Sequence, residues 1–181
     1  MAWDGFARRP WARTLGAALV GILTTGLGAG CENDNPPACE GAVCVCGDGQ
    51  SCDLSGTACE GIDCLLTCAS ENLCRGECGD ECVATCTGAS TCELATGVTS
   101  TVACDDASCA ITLGPGSHVS CGQRASCELD VGESGSITCT GRATCTIRCS
   151  GACTVSCAAG DCELQCPGDA APAPVGPNST C

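Results

Sequence analysis

A pair of cysteines that recurs six times between Cys64 and Cys166 restricts this chain to very few folds. The first member falls at Cys68, Cys86, Cys104, Cys121, Cys139 and Cys157, in steps of 18, 18, 17, 18 and 18 residues. The second falls at Cys74, Cys92, Cys109, Cys127, Cys145 and Cys162, five or six residues after its mate. Apolar residues keep the same beat. Leu66, Ala84, Val102, Val119, Ile137 and Val155 stand two before the first member; Leu94, Ile111, Leu129, Ile147 and Leu164 stand two after the second, with Gly76 as the exception. Residues two apart share one face of a strand. A unit of 17 or 18 residues therefore reads as two five-residue strands joined by two tight corners. Such a unit cannot bury its inward face alone, so successive units must stack. The expected fold is all-β: a disulfide-rich, flat parallel β-solenoid (β-helix) of about six coils.

Each coil brings one cysteine of each ladder to its first corner, both facing inward, so the economical disulfides lie within the coil: Cys68–Cys74, Cys86–Cys92, Cys104–Cys109, Cys121–Cys127, Cys139–Cys145 and Cys157–Cys162. Bonds running up one ladder compete, because adjacent parallel strands lie about 4.8 Å apart, within the range a disulfide spans. Recurrence favours the first pattern. At the second corner Cys78 occurs with Cys82 and Cys149 with Cys153, whereas the coils carrying Thr96 and Ser100, Leu113 and Ser117, or Val131 and Gly135 lack both cysteines. Cys166 is left for Cys181, and the six cysteines from Cys39 to Cys64 form three bonds of open order.

Composition explains why cysteine must do this work. Trp3, Phe6 and Trp11 are the only aromatic residues, so apolar burial alone is a weak opponent of chain entropy in the repeat region. With 25 cysteines in 181 residues, a disulfide scaffold is the default reading, and such scaffolds persist in oxidising compartments.

The N-terminus agrees. Arg8, Arg9 and Arg13 precede an uncharged run of apolar and small residues, Thr14 to Gly30, that ends at Cys31. That run is short for a membrane-spanning helix and is read as an export signal. Leu27-Gly28-Ala29-Gly30-Cys31 resembles the lipobox of bacterial lipoproteins, although Leu27 stands four residues before the cysteine where the family places Leu three before. The resemblance implies cleavage before Cys31 and a lipid on its sulfur. Parity points the same way, since an odd count of 25 leaves one cysteine over. The organisation expected is an export signal over residues 1–30, an acidic tether and disulfide-tied cap over 31–63, the solenoid over 64–166 and a Pro-rich tail over 167–181 that cannot continue a strand ladder.

After cleavage four arginines would face 20 carboxylates with no lysine, a formal charge of −16, which excludes nucleic acid as a partner. The membrane, reached through the lipid, is the one partner implied; an envelope protein or polysaccharide is the class left open. No catalytic residues and no cofactor are expected. The chain has one histidine, His118, at an outward strand position, and its cysteines are expected to be oxidised, so a paired nucleophile and base are missing. C-x-x-C occurs nowhere, which removes the usual zinc, iron–sulfur and thioredoxin-like spacings. Glu93, Glu128 and Glu163 recur only every second coil, about 9.6 Å apart at strand spacing, too far to share calcium. A thiolate- or calcium-binding secreted protein is therefore the alternative, behind a rigid, non-catalytic, lipid-anchored envelope module that serves structure or interaction.

Disulfide-stapled solenoids with T-C-T strands resemble the beetle antifreeze proteins, and Thr85-Cys86-Thr87, Thr138-Cys139-Thr140 and Thr144-Cys145-Thr146 repeat that triplet. The resemblance implies an outward Thr array that binds ice. Only two of the six coils carry the Thr pair on the first sheet, the others offering Thr67/Ala69, Ala103/Asp105, Ser120/Gly122 and Ser156/Ala158. An ice-binding solenoid is the lesser alternative.

Overall fold

The computed structural model describes residues 38–40, 42–46, 51–54, 63–70 and 72–181. The expected export signal, residues 1–30, and the expected lipidation site, Cys31, lie outside them. All of these residues fall in one unit, Glu32–Cys181. It is built from two parallel sheets that the chain visits alternately. The first sheet carries β2 (Val43–Val45), β4 (Leu65–Cys68), β6 (Val83–Thr87), β8 (Thr101–Asp105), β10 (His118–Gly122), β12 (Gly135–Cys139) and β14 (Cys153–Cys157). The second carries β3 (Ser51–Asp53), β5 (Leu73–Cys78), β7 (Thr91–Thr96), β9 (Ser108–Leu113), β11 (Ser126–Val131), β13 (Thr144–Cys149) and β15 (Asp161–Gln165). The fold is an all-β, disulfide-rich β-solenoid.

Register follows the repeat without slippage. Cys68, Cys86, Cys104, Cys121, Cys139 and Cys157 are successive cross-strand partners, as are Cys52, Cys74, Cys92, Cys109, Cys127, Cys145 and Cys162. The inward apolar positions stack beside them, from Leu66 to Val155 on one sheet and from Leu94 to Leu164 on the other, and all are buried. A register shift by one residue would turn every one of these side chains outward, so the alternation locks the stacking. Gly76, the gap in the apolar ladder, has φ +132, and a Cβ there would come within 2.9 Å of Leu54 Cβ. Leu54 fills the missing place from the preceding coil.

Disulfides close both corners. At the first, the structure joins Cys68 to Cys74, Cys86 to Cys92, Cys104 to Cys109, Cys121 to Cys127, Cys139 to Cys145 and Cys157 to Cys162, with Cα separations of 6.3 to 6.9 Å. At the second, it joins Cys78 to Cys82 and Cys149 to Cys153. In two of the three coils that lack that pair, serine takes over: Ser100 Oγ accepts from Cys82 N at 3.2 Å and Ser117 Oγ from Ser100 N at 3.1 Å, tying each corner to the previous coil; the third has Gly135 in that place.

Two expectations about the ends change. Residues 31–63 are not wholly an irregular cap, because β2 and β3 pair in parallel with β4 and β5 and form a seventh coil, closed by Cys46–Cys52. Its signature is present in the sequence: Cys44 and Leu54 flank a Cys46/Cys52 pair of the usual spacing. It escaped the repeat because Cys46 and Cys68 are 22 residues apart instead of 18. The tail does extend the sheets, but antiparallel. β16 (Ala173–Pro174) pairs with β15 and β17 (Asn178–Thr180) with β14, and Cys166–Cys181 holds the tail down. Pro177 accepts from Cys157 N at 3.0 Å, and Val175 N donates to Cys162 O at 3.0 Å, so the prolines supply carbonyls where no donor is needed. At the other end β1 (Ala38–Glu40) covers β2 as an antiparallel hairpin.

Two measurements follow from this architecture. Non-reducing peptide mapping of acid-quenched protein is expected to return the within-coil bonds; a Cys86–Cys104 or Cys127–Cys145 link would overturn them. Ser90 Oγ and Thr96 Oγ1 are buried without a hydrogen-bond partner, while the next coil places Leu113 beside Thr96. Relieving an unsatisfied buried hydroxyl is worth about 1 kcal/mol or more, so Thr96→Val and Ser90→Ala should each raise the thermal midpoint by several degrees. A lower midpoint for both would refute this account of the core.

Candidate functional site

The first corner carries the densest chemistry in the molecule: a column of disulfides running through the coils, each buried by its neighbours. In Cys68, Cys74 and Cys92 the three Sγ atoms lie within 4.8 Å of one another, and the same arrangement recurs in Cys86/Cys92/Cys109, Cys104/Cys109/Cys127 and Cys121/Cys127/Cys145. In each set two members form one disulfide and the third is the second-ladder cysteine of the following coil. Three thiolates at that spacing could hold a soft ion, but sulfurs joined to each other have given up the charge that binds metal.

Cys46, Cys52 and Cys74 form the equivalent set, and there Cys46 Sγ stands 3.0 Å from Cys74 Sγ, a contact between two different disulfides. The buried Asn72 explains the approach: its Nδ2 donates to Cys46 O at 3.1 Å. The corresponding corner residue in later coils is Ser90, Ala107, Ala125 or Ala143, none of which has an amide to reach across.

The outward faces are polar. On the first sheet, Thr67, Thr85, Ala103, Ser120, Thr138 and Ser156 form one cross-strand column. His118 is exposed between Thr101 and Ser136. The threonine pairs of the T-C-T strands, Thr85/Thr87 and Thr138/Thr140, are separated by coils bearing Ala103/Asp105 and Ser120/Gly122, so no continuous Thr array forms. Toward the N-terminal end this face becomes apolar, with Val43, Leu65 and Val83 in one exposed column and Val45 beside it.

The second sheet carries the charge. Arg75 Nε meets its cross-strand partner Glu93 at 2.9 Å, and Arg148 Nη1 meets Glu128 at 2.9 Å and Asp130 at 3.6 Å. At the first corner Arg124 donates twice to Asp106, at 2.9 and 2.7 Å. The hydrogen bond to Glu128, aided by the nearby charges of Glu128 and Asp130, raises the Arg148 pKa. Ala110 and Thr146 stand between Glu93, Glu128 and Glu163 in their column, keeping these carboxylates two strands apart. An open cleft at the second corner is lined by Leu113, Val131, Asp130, Arg148 and Ser150, and its side-chain donors are already engaged, Arg148 with Glu128 and Asp130 and Ser150 with the Val131 carbonyl.

The structure thus brings together every cysteine pair singled out from the repeat, and it adds Cys46 and Cys52, which the repeat interval had hidden. Ten disulfides among the described residues place the chain in an oxidising environment. None of those residues forms a helix long and apolar enough to cross a membrane. No family model matches the chain, and neither a curated protein nor a solved structure matches it.

Proposed function

We propose that the protein is a non-catalytic module of a bacterial cell envelope, exported by residues 1–30, lipidated at Cys31 and used as a rigid structural or contact element. The observation that carries this reading is how the reactive side chains are engaged. The ladder thiols are joined to one another, and three of the four arginines outside the signal pair with Glu93, Asp106 and Glu128. What faces outward is a set of small hydroxyls, paired charges and the Val43–Leu65–Val83 stripe, suited to contact rather than to bond breaking. The tether also fits. Six residues lie between Cys31 and Ala38, seven steps that reach about 24 Å when extended, so a lipid on Cys31 would keep the first coil close to the membrane surface.

Two experiments test the reading. Detergent-extracted protein is expected to show the intact mass of a chain beginning at lipidated Cys31, and Cys31→Ala should move it to the aqueous fraction. A water-soluble native product with Cys31 in a disulfide would overturn the anchor. Protein purified without added metal is expected to hold zinc, iron and calcium well below one equivalent; a stoichiometric ion would favour the metal-binding alternative.

A further inference from the structure

We propose that the N-terminal coil is a thiol–disulfide exchange site, which takes up a small monothiol as a covalent adduct and passes the displaced thiol into the second coil. The geometry sets it apart from the rest of the column. Cys46 Sγ lies 3.0 Å from Cys74 Sγ, so the sulfurs run Cys52, Cys46, Cys74, Cys68, with a disulfide at each end of the series and a short contact between them. Asn72, by binding the Cys46 carbonyl, holds this contact in place. Access also differs. Cys52, the sulfur to be attacked, lies on β3, the edge strand of its sheet among the described residues, so it is reached when this edge strand opens locally; at rest Cys46 keeps 5% exposure and Cys52 none.

The step conserves bonds and electrons. A monothiol, as its thiolate, attacks Cys52 Sγ; the mixed disulfide forms, the Cys46–Cys52 bond breaks and Cys46 leaves as thiolate. Left alone, Cys46 would attack the adduct and expel it. Here a second electrophile is already in contact: Cys46 attacks Cys74 Sγ, Cys46–Cys74 forms, Cys68–Cys74 breaks and Cys68 becomes the thiolate. Two disulfides enter and two leave, one of them to the added thiol, with no net oxidation. A neighbour held in contact reacts as if at very high concentration, which is why the diversion competes with expulsion. The adduct then persists because its resolving cysteine has been consumed.

The test uses the full chain and two single substitutions that approach the same bond from opposite sides. Cys52→Ser leaves Cys46 without its mate, and exchange is expected to produce Cys46–Cys74 and a maleimide-labelled Cys68. Cys68→Ser leaves Cys74 free, and the same Cys46–Cys74 bond should form with the label on Cys52. Both are read by acid quench, labelling under denaturing conditions and non-reducing peptide mapping. Label remaining on Cys46 in the first variant, or on Cys74 in the second, overturns the proposal. Wild-type protein incubated with glutathione supplies an arm that needs no substitution: a glutathione adduct on Cys52, Cys46–Cys74 and labelled Cys68 in equal amounts support the site. An adduct with Cys68–Cys74 intact, or no adduct in the first coil, sinks it.

Discussion

The structure depends on one constraint: the coil interior is too thin, and its side chains too small, for apolar contact alone to hold the chain. No aromatic residue is present beyond Trp11, and the inward positions are Ala, Val, Leu, Ile and cysteine. Burying a Val or Leu contributes about 1.5–3 kcal/mol, while fixing each residue's backbone costs about 1–2 kcal/mol, and only every second strand residue points inward. A closed loop of six or seven residues restores roughly 2 kcal/mol per disulfide by restricting the unfolded chain. One such bond per coil shifts the balance coil by coil, which matters in a repeat whose units contact only their neighbours.

That one-dimensional logic explains the ends. An open coil exposes a row of unpaired backbone groups, a template for adding further strands. Each end is treated by a change of strand direction: β1 covers β2 from an antiparallel hairpin, and β16 and β17 cover the last coil. Pro172, Pro174 and Pro177 make the C-terminal cover a poor acceptor of another strand, and Cys166–Cys181 fixes it. The corners follow a similar economy. In most coils the first corner contains a left-handed residue, Ser70, then Gly88 together with Ala89, Asp106, Gln123 and Gly141 in turn, and only two of these six are glycine. The disulfide that closes each turn and the ladder hydrogen bonds hold non-glycine residues where they would rarely go unaided.

Much of this was legible from spacing. The strand period, the two ladders and the alternation of Cys78/Cys82 and Cys149/Cys153 with non-cysteine corners identify the solenoid and its pairings, because each is a local pattern repeated many times. The ion pairs were legible in hindsight through the same interval: Arg75 and Glu93, like Arg124 and Asp106, are 18 residues apart and so meet on adjacent coils. The first coil was not legible because four extra residues between Cys46 and Cys68 break the interval while leaving the inward alternation intact. The antiparallel covers were not legible because strands of two or three residues with proline carry no periodicity. The Cys46–Cys74 approach depends on one amide, Asn72, reaching a carbonyl in the coil before it, a contact that no spacing rule contains.

The interior and the surface of such a protein answer to different requirements. Inward positions repeat because every coil must stack on the next; outward positions make cross-strand contacts that many small or polar residues satisfy equally well. Selection for binding can therefore act on the faces without disturbing the frame. The faces here are not uniform: the first sheet grades from Val43, Leu65 and Val83 in the first coils to Thr101, His118, Ser136 and Thr154 farther along the same column. The second sheet carries its paired charges, Arg75 with Glu93 and Arg148 with Glu128, across the middle coils. The gradient makes the two ends of the solenoid chemically distinct, and the apolar end coincides with the coil in which Cys46 touches Cys74 of the next.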